Sequence, residues 1–135
     1  MSPITYKNTS GFDKDLKRLR KKFRTLEDDI EVVKKNAIEL FHLKNIDNNS
    51  VEQIPNFCTD ELKICKIKKC ACKALKGRGV HSGIRIMYAY YTLTNTVDFI
   101  EMYFKGESEN EDIEKIKDYL RNAYVALPRP VNDKN

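Results

Sequence analysis

The sequence predicts an α+β fold of order β-α-α-β-β-β-α, in which an antiparallel sheet packs on a helical hairpin. Three features carry this expectation. Phe12, Leu16, Leu19 and Phe23 recur at helical spacing, and Ile30, Val33, Ala37 and Leu40 form a second stripe of the same period, which marks two amphipathic helices. Beyond Leu62 the apolar period falls to two, in runs of β-branched and aromatic residues joined by short connections, as in an antiparallel meander. An acidic segment with helical spacing then follows.

Taken in order, Ile4 to Asn8 reads as a short strand ended by the turn Thr9-Ser10-Gly11. The helix from Phe12 carries a cationic face of Lys14, Lys17, Arg18, Arg20, Lys21, Lys22 and Arg24. Thr25 is placed as the N-cap of the second helix, with Glu27 and Asp28 favouring the positive end of its dipole. Ile46 to Cys58 reads as a loop broken by Asn48-Asn49-Ser50 and Pro55. Leu62 to Leu75 is a strand whose apolar parity changes near Lys68-Lys69, which predicts a bulge there. Lys76 to Gly83 is a basic, glycine-rich hairpin loop, Ile84 to Tyr91 a second strand, Thr92 to Thr96 a turn and Val97 to Lys105 a third strand. Ser108-Glu109-Asn110-Glu111 matches a capping box for a last helix whose Ile113, Ile116 and Leu120 share a face. Residues 1–127 are expected to form one domain and 128–135 a frayed tail.

The chain has 135 residues, 41% of them hydrophobic, with 6 Phe and 7 Tyr, enough to close a core and to exclude wholesale disorder. No apolar run approaches the roughly 20 residues of a membrane span, and Met1 to Lys7 lacks the apolar centre of a secretory signal, so a cytoplasmic location without a membrane partner is expected. Cys58, Cys65, Cys70 and Cys72 lack the paired C-x-x-C spacing of a structural zinc site and are expected to be reduced packing residues. With no metal site expected, and no Lys-Ser or Lys-Thr after Gly77, Gly79 and Gly83 to make a phosphate-binding loop, no cofactor is implied.

Charge is distributed unevenly about a net +5. Leu62 to Lys105 holds nine Lys and Arg against two acids, whereas Gly106 to Leu120 holds six acids against two Lys. A basic plate of this kind favours phosphate-rich or acidic partners, and the acidic stretch can lie against it until a larger polyanion competes. Strand alternation puts Ile84, Ile86, Tyr88 and Tyr90 toward the helical hairpin and Arg85, Met87 and Ala89 on the other face. In the last strand Ile100, Met102 and Phe104 are expected to share a side, leaving Glu101, Tyr103 and Lys105 opposite. Pairing then gathers Arg85, Glu101, Tyr103 and Lys105, with Lys66 and Lys73 joining from the first strand of the meander. Such a face can bind a phosphodiester and neutralise the charge that builds up during its cleavage, with Tyr103 as a stacking surface for a base. Equally, Arg85 can pair with Glu101 as a plain structural bridge.

The lysine-rich strand leading into Lys73-Ala74-Leu75-Lys76-Gly77-Arg78-Gly79, the phrase Ser82-Gly83-Ile84-Arg85-Ile86-Met87-Tyr88-Ala89-Tyr90 and the closing Ile100-Glu101-Met102-Tyr103-Phe104-Lys105-Gly106 resemble the RelE/ParE superfamily of toxins from type II toxin-antitoxin systems, over most of Tyr6 to Leu120. The resemblance to the RelE branch implies a ribosome-dependent endoribonuclease, an mRNA interferase in which a 2′-hydroxyl attacks the adjacent phosphate without a metal. It assigns the scissile phosphate to Arg85, a basic role at the strand end to Lys105, and proton transfer to Lys73 with Lys66 or Lys68. Glu101 and Tyr103 complete the candidate catalytic set, and Lys66, Lys68, Lys69, Lys76, Arg78 and His81 are the candidate RNA contacts. The implied partners are a cognate antitoxin, the ribosome and messenger RNA. ParE members instead inhibit DNA gyrase, and a catalytically inactive toxin homologue acting as a protein-binding module is the remaining alternative. The catalytic tyrosine at the C-terminus of the nuclease branch has no clear counterpart here.

Overall fold

The structure, a computed structural model, describes residues 3–68, 70, 83–108 and 110–126. Its elements run β1 (Thr5–Asn8), α1 (Ser10–Leu19), α2 (Leu26–Val33), a π-helical stretch (Lys34–Glu39), α3 (Leu40–Leu43), β2 (Val51–Gln53), a 3-10 turn (Pro55–Phe57), β3 (Leu62–Ile67), β4 (Ile84–Tyr91), β5 (Thr96–Phe104) and α4 (Ile113–Ala126). The fold is α+β, and none of the described helices is long and apolar enough to cross a membrane.

One sheet of order β1-β5-β4-β3-β2 forms the middle layer. The expected meander is present as the antiparallel pairs β3 with β4 and β4 with β5. The sheet as a whole is mixed, because β1 lies parallel to β5 from Thr5 opposite Thr96 to Asn8 opposite Phe99. Its other edge is β2, inside the stretch expected to be a loop. Val51 is buried there while Glu52 and Gln53 face solvent, and three residues are too few for alternation to declare a strand. The bulge expected near Lys68-Lys69 and the continuation of that strand to Leu75 reach outside the described residues, as does the basic loop from Lys76 to Ser82. Within β3 the register is regular from Leu62 opposite Tyr91 to Ile67 opposite Ile86.

The hairpin of α1 and α2 covers one face of the sheet. Phe12, Leu19, Phe23, Leu26, Ile30 and Val33 pack there on Ile84, Ile86, Tyr88, Val97, Phe99 and Met102. Thr9 is an N-cap rather than a turn residue, since its Oγ1 accepts from the Phe12 N–H at 3.1 Å. Thr25 occupies the N-cap position of α2, but its hydroxyl donates to Asp29 Oδ2 at 2.8 Å instead of capping a backbone N–H. The wider π-helical stretch shifts the apolar stripe: Ile38 is fully buried beside Ala37, and Leu40 is only half-buried. The Tyr6 hydroxyl fastens that stretch to β1 by donating to Glu39 Oε2 at 2.9 Å.

The opposite face is not open, because α4 lies on it. Ile116, Leu120 and Ala123 pack on Leu62, Ile64, Met87, Ala89, Ile100 and Tyr103. Ile113, expected on that face, is 39% exposed at the first position of the helix. Ile100 also departs from expectation. Met87 pairs with Glu101 but Tyr88 with Phe99, so Ile100 is an extra residue in β5. This bulge turns Ile100 to the α4 side together with Tyr103, while Met102 and Phe104 stay on the hairpin side. The Met102 N–H donates across to Asp15 Oδ2 of α1 at 3.0 Å. Cys65 and Cys70 are buried in the hairpin-side core, as packing residues should be, and Cys72 lies outside the described residues.

Candidate anion-binding site

The pairing of β3 with β4, and of β4 with the end of β5 beyond the bulge, sets out two neighbouring rows on the α4 side of the sheet. Lys66 stands opposite Met87 and Met87 opposite Glu101; Arg85 stands opposite Tyr103. Gly83 immediately precedes β4, two residues before Arg85, with φ +87°, a conformation that suits glycine, and an added Cβ would come 3.0 Å from the Phe104 ring. Its carbonyl accepts from the Lys105 N–H at 2.8 Å, which fixes the turn that leaves β5.

At the centre of these rows is a residue that the expected cluster lacks. Glu111, on the segment between β5 and α4, places Oε1 3.1 Å from Lys66 Nζ and 3.2 Å from the Tyr103 hydroxyl. Both charged side chains of this pair are largely covered, 17% exposed for Lys66 and 13% for Glu111. Burial alone would raise the Glu111 carboxyl, but its own backbone N–H, Lys66 and Tyr103 together outweigh burial and hold it below the usual carboxylate range. Tyr103 is held above the usual phenol range by burial first and by the Glu111 charge second, so at neutral pH its hydroxyl is a donor. Its ring is 5% exposed and packed under α4. The expected stacking surface is therefore absent at Tyr103, and only the hydroxyl reaches the site.

Arg85 is half-buried, with Nη1 3.2 Å from the Ile84 carbonyl, and its charge acts on Tyr103. The structural bridge to Glu101 is not formed. Glu101 pairs in register with Met87, and its Oε1 accepts from the Asp112 N–H at 3.1 Å, with Lys115 Nζ 4.0 Å from Oε2. Burial raises the Glu101 carboxyl above its ordinary value, against the pull of the Asp112 N–H and Lys115. Among the described residues no carboxylate pairs with Arg85.

Of the sequence-predicted residues, the structure thus brings together Arg85, Tyr103 and Lys66, with Glu101 at the far end of the Lys66 row. Lys105 stands exposed in the turn beyond Tyr103. Lys68 lies at the β2 edge, 4.0 Å from Glu52. Lys69, Lys73, Lys76, Arg78 and His81 lie outside the described residues. Tyr119 is engaged elsewhere, donating to Asp98 Oδ2 at 2.8 Å and meeting the Tyr91 hydroxyl. Sequence reasoning misses Glu111 because its local sequence fits a capping box. The available signal was the charge reversal after Lys105, which brings an acid close behind the basic strands. Two hydrogen-bond donors converging on one oxygen, with a guanidinium one cross-strand pair away, form a site for an oxyanion.

No family model matches the chain. No curated protein matches it either. One solved structure to which it is similar is the archaeal RelE-RelB complex from Pyrococcus horikoshii OT3, with a TM-score of 0.49 and 12% identity, over 79% of this chain and 100% of that one.

Proposed function

We propose that the chain is the toxin of a type II toxin-antitoxin system and that it cuts messenger RNA on the ribosome by attack of a ribose 2′-hydroxyl on the adjacent phosphate. The observation that carries this reading is the convergence of Lys66 Nζ and the Tyr103 hydroxyl on a single carboxylate oxygen beside Arg85. A non-bridging phosphate oxygen has the same charge and the same appetite for donors. The motifs around Arg85 and Lys105 that resemble the RelE branch support the same assignment.

In the reaction a bond forms between O2′ and phosphorus, and the bond from phosphorus to O5′ breaks. The proton of the 2′-hydroxyl passes to a base, and O5′ receives one. Arg85 neutralises the charge that accumulates on the pentavalent phosphate, Tyr103 donates to a non-bridging oxygen, and Lys66 holds the phosphate. Proton transfer falls to Lys73 with Lys66 or Lys68, and Lys105 supplies a further positive charge at the strand end, the roles that the resemblance implies. Glu101 serves as the anchor of α4 through Asp112. Lys68, Lys69, Lys76, Arg78 and His81 extend the surface for RNA, and an antitoxin restrains the toxin in the cell.

Induced expression of the natural chain should arrest growth, with discrete in-frame cuts in messenger RNA mapped by primer extension. Both should vanish in the Arg85→Ala/Lys105→Ala double variant while its circular dichroism is unchanged. Arrest without cuts would move the target to DNA gyrase or another protein, and absence of arrest would mark an inactive homologue.

A further inference from the structure

We infer that Glu111 is an internal stand-in for the substrate phosphate, so that the segment between β5 and α4 closes the anion site until a strand of RNA displaces it. This rests on the phosphodiester reading of the site above. Secondary structure gives Glu111 no local task. The cap of α4 is Asp112, whose Oδ1 accepts from the Glu114 and Lys115 N–H groups at 3.0 and 3.3 Å. Nor is Glu111 one of the solvated acids on the outer face of α4, such as Glu114, whose side chain is 76% exposed. It reaches across the sheet to a lysine of β3 and a phenol of β5, and it is covered in doing so.

The flanking residues are fastened independently. Glu107 and Ser108 donate their N–H groups to the Phe104 carbonyl at 2.8 and 3.0 Å, and Asp112 donates to Glu101. Helix α4 is held further along by Ile116, Leu120 and the Tyr119 bond to Asp98. Release of Glu111 therefore needs only a short strap to move, with the helix left in place. A phosphodiester has an advantage over the carboxylate it would replace. It can draw on Arg85, which no described carboxylate satisfies, in addition to Lys66 and Tyr103.

The test is the affinity of the full chain for a fluorescein-labelled, uncleavable 2′-O-methyl RNA of about ten nucleotides, a length that fills one single-strand site. Glu111→Gln removes the charge, and Glu111→Asp keeps it but withdraws the carboxylate by one methylene. Both should bind about five- to tenfold more tightly than the natural chain, the range that releasing one largely covered ion pair supports. Glu114→Gln, with the same change in net charge on an exposed face, should change affinity by less than about twofold. Adding Arg85→Ala to Glu111→Gln should abolish the gain.

If Glu111→Asp behaves as the natural chain while Glu111→Gln and Glu114→Gln tighten alike, the effect is net charge and the occlusion is overturned. If Arg85→Ala weakens binding but neither Glu111 variant tightens it, the phosphodiester site stands and the occlusion falls. If Arg85→Ala leaves RNA binding unchanged in every background, the phosphodiester reading itself fails.

Discussion

His42 shows how a single half-buried group sets a pH dependence. Its ring stacks on Tyr90 with centroids 3.9 Å apart, and its Nε2 lies 2.8 Å from the Tyr88 hydroxyl. Burial pushes the imidazole down to about 4, so at pH 7 it is neutral and shares a hydrogen bond with the Tyr88 hydroxyl, which burial keeps protonated. In the unfolded chain an imidazole titrates near 6.5. Between about pH 6.5 and pH 4 the unfolded chain therefore binds a proton that the folded chain refuses, and stability falls as pH drops through that window. The contribution is fully present above pH 6.5. Allowing for the exposed part of the ring, it is on the order of 2 kcal/mol. Urea unfolding at pH 7.5 and pH 4.5 should show a loss about that much larger in the natural chain than in His42→Gln, which offers Tyr88 a hydrogen-bond partner without titrating. Equal losses would mean that the ring is not the titrating group.

The helix–strand junction after β5 shows where local sequence rules yield to tertiary partners. Ser108 to Glu111 satisfies the pattern of a capping box, yet α4 starts at Ile113 with Asp112 as its cap. The acid that the box would use is taken by Lys66 and Tyr103. Asp112→Ala should therefore cost about 1 kcal/mol in urea unfolding, whereas Ser108→Ala should stay within about 0.5 kcal/mol. The reverse order would restore the capping box. Strand β4 was legible to the residue, Ile84 to Tyr91, because Gly83 precedes it, a short turn follows it and the extra residue of the bulge lies in β5 instead. Ile100 was not, since a bulge adds one residue without any local marker and inverts the side chain that alternation would assign. The π-helical stretch hid the burial of Ile38 in the same way, by changing the period partway along a helix. Alternation in β3, in β4 and in the end of β5 beyond the bulge was enough to gather Lys66, Arg85 and Tyr103. Glu111 required knowledge of how α4 folds back, a long-range event that no short pattern records.

Considered whole, the molecule is a three-layer arrangement in which the sheet separates two apolar clusters of different kinds. The hairpin side is a wide core, with Phe99 stacked against Phe12 at 4.9 Å and Tyr6 at 6.0 Å. The α4 side is narrower and gives way at one end to Lys66, Arg85, Tyr103 and Glu111, so the basic strands and the acidic segment behind them meet there. That meeting of apolar cover and charge lets a rigid sheet present donors while a short strap controls access to them. If the donors act on a phosphodiester through its neighbouring 2′-hydroxyl, the chemistry has one required atom. The decisive measurement is cleavage by the purified chain of a ribosome-bound message in which that single 2′-hydroxyl is replaced by hydrogen, compared with the unmodified message and with the Arg85→Ala chain. The unmodified message should be cut at one position, the 2′-deoxy message should remain intact, and Arg85→Ala should slow cleavage by about 100-fold or more. Equal cutting of the two messages, or full activity in Arg85→Ala, would contradict the assignment of this site.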